Sequence, residues 1–220
     1  MSEEQLQTAF ESAGVQTVLI FLLIGILAAI FFMTDRKRDK VRPQALTTSA
    51  MLIALAFVLN QITLFQLPQG GAVTPFSMLM IVLIGYYFGT RQGILAGVAF
   101  GLLDLLINPY VVSIPQMLLD YPLAFGALGI GALLRKRGLI LTYIVSVLGR
   151  YFCSFLSGAI FFGMYAPEGF NGITWSLLYN GTYMGAEAVI TVIVIAIPAV
   201  HKMIDHIGRQ VMLKEQVATI

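Results

Sequence analysis

The stretch QMLLDYPLAFGALGIG, residues 116–131, is an almost unbroken apolar run that contains one carboxylate, Asp120, and one amide, Gln116, a helical turn before it. It lies within a longer apolar segment, residues 113–134. About 20 helical residues are enough to cross a hydrocarbon core about 30 Å thick, whereas the strands of a membrane barrel would be shorter and would alternate in polarity. The segment therefore predicts a transmembrane helix that keeps a costly carboxylate inside it.

The whole chain has the composition of an integral membrane protein. Of its 220 residues, 58% are hydrophobic and 11% are charged, a balance far from that of soluble domains. The fold class predicted from this composition is an all-α integral membrane protein with seven spans. The predicted spans lie at about residues 14–33, 45–66, 74–90, 92–108, 113–134, 138–165 and 173–200.

Lysine and arginine are confined to alternate loops, which indicates the orientation because these residues accumulate in short cytoplasmic loops. The loops on the other side contain neither, and the N-terminal tail is acidic. We therefore expect the N-terminus outside and the C-terminus in the cytoplasm. The net charge of +2 then follows from topology and does not indicate a nucleic-acid partner. The basic loop residues are Arg36, Lys37, Arg38, Lys40, Arg42, Arg91, Arg135, Lys136, Arg137, Lys202, Arg209 and Lys214.

A charged segment from Asp35 to Arg42 separates the first span from the other six. It predicts that residues 1–42 form an N-terminal tail, an extra transmembrane helix and a basic cytoplasmic linker. Residues 43–200 are predicted to form a six-helix membrane domain, and residues 201–220 a cytoplasmic C-terminal tail. The first apolar run has no basic region before it, so we expect a retained helix rather than a cleaved signal peptide.

Small residues at every fourth position predict where helices approach each other closely in lipid. Gly93, Gly97 and Gly101 form such a face on the fourth span. Ala50 and Ala54 repeat the spacing on the second span. For this pair two interpretations stay open: a packing groove for another helix, or a docking surface for a separate membrane subunit.

Four charged residues fall inside the predicted spans, and each is a functional candidate because a charge within a bilayer is costly. Asp104 and Asp120 lie near the outer end. Arg150 and Glu187 lie deeper, each roughly 20 Å from the outer surface at a rise of about 1.5 Å per residue. We interpret these two as a structural ion pair that joins the last two spans, with gating or transport as the alternative role.

The last span carries a polar and aromatic stripe. Ser176, Asn180 and Tyr183 recur on one helical face, with Trp175 and Tyr179 beside them. Such a stripe must face protein or water. The outer residues include carboxylates and neither Lys nor Arg, so the predicted ligand is a cationic organic molecule. Aromatic faces attract a cation with about 0.5–2 kcal/mol per contact.

Motifs for covalent chemistry are missing from the sequence, which predicts that the chain is not an enzyme, has no catalytic residues and holds neither a metal nor a cofactor. His201 and His206 fall beyond the last span, and the single cysteine, Cys153, cannot build a thiolate zinc or iron–sulfur site. An intramembrane enzyme with Asp104 and Asp120 as paired carboxylates is an alternative of a different class. A purely structural protein without a ligand is another.

Three segments resemble those of the thiamine-specific substrate-binding (S) component of energy-coupling-factor vitamin transporters. They are LPQGGAVT at residues 67–74, QMLLDYPLAF at 116–125 and the long RYFCSFLSGAIFFGMYAPEGFNGITWSLLYNGTYM at 150–184. The resemblance covers about residues 45–200. It implies a six-helix S component in the bacterial plasma membrane that takes up thiamine from outside, beneath the loop that contains Gln69, Gly70 and Gly71.

The resemblance also implies partners. Such S components work with a transmembrane coupling subunit and two cytoplasmic ATPases, so that ATP is used by the partners and no cofactor is held in this chain. An Ala-x-x-x-Ala pattern is their docking signature, which favours the docking interpretation of Ala50 and Ala54.

Individual roles follow from the resemblance position by position. Asp120 and Tyr121 match an acid–tyrosine pair whose acid faces the thiazolium cation. Trp175 and Asn180 match the pair of the last helix that contacts the ligand, and Phe162 matches a site aromatic. The full substrate-binding set is Asp120, Tyr121, Ser154, Phe162, Trp175, Tyr179 and Asn180.

Ser154 departs from the family, because it stands where a ligand-stacking histidine is expected, and a serine can hydrogen-bond but cannot stack. Trp175 stands where a tyrosine is usual. The predicted ligand is thiamine, with a pyrimidine precursor of thiamine or another cationic heterocycle as alternatives. The extra first helix is a second departure from the six-helix pattern.

Overall fold

The structure is a computed structural model that describes residues 12–34 and 43–217, with the backbone alone at Ala13, Gln69 and residues 212–217. The acidic tail and the basic linker lie outside the described residues. The described helices are α1 Ala13–Met33, α2 Pro43–Asn60, α3 Ser77–Phe88, α4 Thr90–Ile107, α5 Ile114–Leu118, α6 Ala124–Ala127, α7 Leu139–Phe161, α8 Gly172–Ala196 and α9 Pro198–Val217. A hairpin of β1 (Phe65–Gln66) and β2 (Ala72–Val73) and short turns of other helix types, at Pro68–Gly70, Leu119–Leu123, Ile130–Arg137 and Gly163–Tyr165, complete the described elements.

The described helices confirm an all-α membrane protein. Six segments are long and apolar enough to cross a bilayer: Gly14–Met33, Pro43–Asn60, Thr90–Ile107, Ile114–Arg137, Leu139–Phe161 and Gly172–Ala196. The third predicted span corresponds to α3, which has 12 residues and is shorter than these six. Seven membrane crossings and the orientation of the termini stay predictions, as does the division into three parts.

Helix α3 lies at the centre of the bundle. Ten of its twelve residues are buried, from Ser77 to Phe88, and its apolar side chains join those of α2, α4 and α7 in the main core. A helix that is apolar on all sides is stable only when it is covered on all sides. The central position of α3 therefore follows from its sequence.

The glycine face predicted on α4 is a packing face. A Cβ atom on Gly97 would lie 2.1 Å from the carbonyl oxygen of Phe125, and one on Gly101 would lie 2.5 Å from that of Tyr121. A Cβ atom on Gly93 would lie 2.8 Å from the Cα of Gly85 and 3.1 Å from that of Gly129. The absence of side chains at these positions lets α4 touch the backbone of the helix that carries Asp120.

The segment that contains Asp120 is a broken helix. It begins with α5, whose N-cap Ser113 accepts a hydrogen bond from the backbone N–H of Gln116. It then widens into a π turn at Leu119–Leu123, where the N–H of Ala124 bonds the carbonyl of Leu119, five residues earlier. Pro122 lies inside this turn and has no N–H to donate. Such a π turn re-aims neighbouring side chains and often lies at a functional site.

Two predicted spans end earlier than expected. The span 45–66 ends at Asn60, and the hairpin of β1 and β2 follows. The span 173–200 ends at Ala196, because Ile197 is extended and Pro198 begins a new helix, α9. Residues 201–217, predicted as a tail, are therefore helical in the structure, and Ile204 of α9 packs into the main core.

Helix α1 lies on the outside of the bundle. Ile20 is its buried contact, packed with Leu119, Leu123 and Ala124 of the broken helix. At the other end of α1, the guanidinium of Arg91 lies 4.6 Å from the centre of the Phe31 ring.

Candidate binding site

A cavity of about 480 Å³ opens at the end of the molecule whose loops contain neither Lys nor Arg. The helices α4, α7, α8 and the broken helix surround it, and the hairpin covers part of it. All seven residues predicted to bind substrate line this cavity, and so do Gly70 and Gly71 of the predicted loop; the side chain of Gln69 lies outside the described residues. The seven are Asp120, Tyr121, Ser154, Phe162, Trp175, Tyr179 and Asn180.

The Asp120 carboxylate is held in place by Gln116, which is buried. The amide nitrogen of Gln116 donates to Asp120 Oδ2 at 2.6 Å and to the carbonyl of Tyr110 at 3.0 Å, while its oxygen accepts from the N–H of Val112 at 2.9 Å. Among the described residues, Gln116 is the hydrogen-bond donor to Asp120. The Asp120 carboxylate lines the cavity, where the Ser157 hydroxyl lies close to it. Buried Ser157 also lines the cavity, and its hydroxyl has no partner in the described structure.

Tyr121 braces the loop after α4. Its hydroxyl donates to the carbonyl of Asn108 and accepts from the N–H of Tyr110, both at 2.8 Å. Tyr121 lines the cavity, and its hydroxyl is occupied by these hydrogen bonds to the loop. Asp120 thus contributes a carboxylate to the cavity lining, and Tyr121 contributes its ring and holds the loop.

Aromatic rings form two walls of the cavity. On one side, Phe162 stacks on Tyr110 with ring centroids 5.8 Å apart and an interplanar angle of 29°. On the other, Trp175, Tyr179 and Tyr183 follow one another with centroid distances of 5.8 Å. Tyr110 was missed from the sequence because it lies in a loop without periodicity. A flat, delocalised cation fits between such walls.

Tyr179 also fastens the hairpin over the cavity. Its hydroxyl donates to the carbonyl of Pro68 and accepts from the N–H of Gly71 at 2.8 Å. A Cβ atom on Gly71 would lie 2.7 Å from this hydroxyl, so a larger residue there would have to displace the tyrosine ring from its present position. The Gly-rich loop therefore covers the cavity through a side chain of α8.

Asn180 and Ser154 join α7 to α8 at the cavity wall. The amide nitrogen of Asn180 donates to the carbonyls of Ser154 and Ser176, and its oxygen accepts from the hydroxyl of Tyr183 at 3.0 Å. Asn180 is 6% exposed and Ser154 is 8% exposed. The amide donors are used within the protein, so a ligand meets mainly the remaining acceptor capacity of the Asn180 oxygen.

In the described structure, Arg150 and Glu187 do not form a direct ion pair, so the predicted pair stays a prediction of proximity alone. Glu187, 4% exposed, accepts instead from the hydroxyls of Thr74 and Ser77 and from the N–H of Met78, at 2.9, 3.2 and 3.2 Å. The Arg150 guanidinium lies 4.0 Å from the centre of the Phe125 ring, and its Nε has no hydrogen-bond partner in the described structure. Glu187 therefore has its hydrogen-bond partners at the start of α3, and not in Arg150. Both residues line the cavity.

Asp104 lies at the cavity mouth, where the amide nitrogens of Asn60 and Asn108 donate to its Oδ1 at 2.9 and 3.1 Å. The described residues contain no group of three or more His, Cys, Asp or Glu placed to hold a metal ion. Ala50 and Ala54 are exposed on α2, so they are not a packing groove for another described helix of this chain. The docking interpretation stays a prediction.

Comparison with known proteins identifies the family of this chain. The family model of the thiamine transporter protein (Thia_YuaJ) matches residues 46–205. The chain belongs to this family. The thiamine transporter ThiT of Bacillus subtilis (strain 168) is 34% identical over 166 residues, which are 67% of this chain and 86% of the relative. The ThiT of Lacticaseibacillus paracasei is 26% identical over 141 residues, 56% of this chain and 70% of the relative.

The fold is shared with a solved family member. A structure of ThiT from Listeria monocytogenes matches with a TM-score of 0.64 and 24% identity, and covers 70% of this chain and 91% of that one. The relatives are named as transporters, so the family is not one of enzymes. With its long apolar helices, this member of the thiamine transporter family is a multi-pass protein of the bacterial plasma membrane. Its helix α1 precedes the matched residues.

Proposed function

We propose that this chain is the substrate-binding S component of an energy-coupling-factor importer and that it captures thiamine in the cavity around Asp120. The family match to thiamine transporters supports the substrate. The carrying observation is the Asp120 carboxylate, which Gln116 orients and which lines a cavity walled by aromatic rings.

The chemistry of thiamine matches these walls. Its thiazolium ring is a flat cation, which aromatic faces and a carboxylate attract together, and its aminopyrimidine offers donors and acceptors at its edge. Trp175, Phe162 and Tyr110 supply the faces, while Asp120 and Ser157 supply oxygens that can accept or share protons. The cavity volume of about 480 Å³ lies in the range of small-molecule sites. In this role the protein carries thiamine and does no covalent chemistry.

Import needs partners in this proposal. A transmembrane coupling subunit docks at Ala50 and Ala54, and two cytoplasmic ATPases use the ATP. The exposure of both alanines on α2, with exposed apolar neighbours such as Met51 and Leu55, supports a helix-docking face. Reconstitution of uptake in vesicles with the coupling subunit and ATPases, and its loss when Ala50 and Ala54 are both replaced by tryptophan, tests this part separately from ligand binding.

Ligand identity is tested by fluorescence. Trp175 is the single tryptophan of the chain and lines the cavity, so ligand contact reports directly on its emission. We expect saturable quenching when the detergent-purified protein is titrated with thiamine, at submicromolar concentration, with a matching calorimetric heat. Stronger binding of the isolated pyrimidine moiety than of thiamine would show that the ligand is a precursor. Absence of binding to either, by both methods, would contradict the proposal.

A further inference from the structure

A second cavity lies at the opposite end of the helices, between the turn that follows the broken helix and the C-terminal helix α9. Its volume is about 430 Å³. Arg135 and Lys136 line it from the turn, Arg209 and Asp205 from α9, and Tyr86 and Tyr87 from the end of α3. We call Arg135, Lys136 and Arg209 the basic groove.

Among the described residues that line this cavity, three basic side chains stand against one carboxylate, so the basic groove keeps a net positive charge. Asp205, the acid of the cavity lining, accepts from the hydroxyl of Tyr86 at 3.3 Å and lies 3.5 Å from His201. Arg135 donates to the carbonyl of Tyr87 at 3.4 Å, which is a neutral partner. Neither Lys136 nor Arg209 has an ion-pair partner in the described part of the chain.

The position of the basic groove suits the surface of a membrane. Arg135 and Lys136 lie at the end of the apolar segment Ile114–Arg137, where the hydrocarbon core gives way to lipid headgroups. Helix α9 begins immediately after the last spanning segment and carries exposed Met203 and Ile207 among its charged residues. A helix of this kind, apolar on one side and basic on another, lies in the interface between lipid and water.

We propose that the basic groove binds a phosphate anion, as carried by the headgroup of an anionic phospholipid or by a soluble phosphate. Arginine offers two parallel N–H donors that match phosphate oxygens, and lysine adds a compact charge. The groove supplies both from two separate elements, so an anion bound there ties α9 to the turn after the broken helix. This site is distinct from the acidic, aromatic cavity at the other end.

The test compares the groove with equal charges beside it. The groove variant is Lys136→Gln with Arg209→Gln. The control variant is Arg137→Gln with Lys202→Gln, which removes the same charge from the same end, outside the cavity lining. Calorimetry on the full-length protein in micelles uses short-chain phosphatidylglycerol, phosphatidylcholine of the same chain length, and inorganic phosphate as probes.

We expect phosphatidylglycerol to bind the unmodified protein saturably, and more tightly than phosphatidylcholine. Its dissociation constant should rise at least about tenfold in the groove variant and less than about twofold in the control, since each basic residue near a membrane surface contributes separately. Competition by inorganic phosphate would show that a free phosphate suffices, and its absence would show that the lipid is the source. The single variant Arg209→Gln gives the same comparison if the double variant does not fold. Equal loss in groove and control variants, or no saturable binding of either phosphate probe, would overturn the proposal.

Discussion

Asp120 and Glu187 are two carboxylates that line the same cavity, yet the protein surrounds them differently. Glu187 accepts three hydrogen bonds from residues 74–78, where the hairpin ends and α3 begins. Asp120 accepts from Gln116 and has the Ser157 hydroxyl beside it, with no backbone N–H among these partners. Buried acceptors are normally satisfied by the protein itself, and a free acceptor in a cavity is the exception. The comparison indicates that the start of α3 occupies Glu187, and under the proposed function Asp120 is the carboxylate that meets the ligand.

The largest expected effect comes from removing the structural acid. In Glu187→Ala, the N–H of Met78 and at least one hydroxyl of the Thr74–Ser77 pair, whose oxygens lie 2.7 Å apart, lose their acceptor in a buried place. We expect a loss of about 3 kcal/mol or more in the free energy of unfolding, because each unpaired buried donor costs about 1–3 kcal/mol. Thermal unfolding in detergent, followed by circular dichroism, measures it.

Glu187→Gln is the matched control. The amide oxygen can still accept from Ser77 and Met78, so the transition temperature should stay close to that of the unmodified protein. If Ala and Gln destabilise equally, the bonds to residues 74–78 do not explain the burial of Glu187, and the comparison with Asp120 fails.

Next in size is the effect of neutralising the ligand acid. Asp120→Asn keeps an acceptor for Gln116, so the fold should be retained. We expect the thiamine dissociation constant to rise at least about tenfold, since a hydrogen bond or contact to a charged partner contributes about 1.5–3 kcal/mol. Titration of Trp175 fluorescence measures it, and unchanged affinity would remove Asp120 from this role.

Two controls separate contact from overall charge. Asp104→Asn removes the same charge at the cavity mouth, where Asn60 and Asn108 already engage the carboxylate, and should change thiamine affinity less than about threefold. The neutral pyrimidine moiety should bind Asp120→Asn as well as it binds the unmodified protein. An equal loss for the neutral ligand would mean that Asp120 does not face the cation.

The sequence predicted the residues of the cavity better than their partners. Long apolar runs and helical spacing place side chains on spans and faces, which is why all seven predicted binding residues line one cavity. The depth of a residue along its helix, counted from the sequence, does not determine which neighbour its side chain contacts. Arg150 and Glu187 lie at similar depth, but Glu187 turns to the start of α3 and Arg150 to the Phe125 ring.

Irregular backbone limited the prediction further. The π turn around Pro122 and the turn at Pro198 each follow from proline chemistry, but an apolar run continues through both, so hydropathy alone extends the helix. Tyr110 lies in the loop after α4 and enters the site by stacking on Phe162. In a loop, no helical periodicity predicts which way a side chain faces, so a residue such as Tyr110 can be assigned to the site only from the structure.

A smaller effect is expected from the aromatic wall on the Asp120 side. Phe162→Leu keeps apolar volume but removes a ring that stacks on Tyr110, whose carbonyl in turn helps to hold Gln116. We expect about a threefold to tenfold loss of thiamine affinity, the size of one aromatic contact to a cation. Met184→Leu, a buried change on the cavity wall without a ring, is the control and should alter affinity less than about twofold. Equal effects would assign the wall to packing alone.

The smallest effect on thiamine binding is expected from the hairpin of β1 and β2. Its tip and the residue after its second strand are held by different residues of α8. Tyr179 binds its tip at Pro68 and Gly71, and Glu187 binds Thr74 just after its second strand. Tyr179→Phe removes both hydrogen bonds at the tip. Because the bond to Pro68 is exposed and water can replace it, we expect a loss of about 0.5–1.5 kcal/mol, so that thiamine dissociates about two to ten times faster with little change in thermal stability. Thr74→Val removes the contact at the root and should do the reverse, lowering stability with little change in the dissociation rate. Stopped-flow fluorescence measures the dissociation rate of thiamine, and thermal unfolding measures the stability of both variants. If both variants changed the rate and the stability alike, the hairpin would move as one unit with α3. The structural and ligand-binding sides of the cavity would then not be separate.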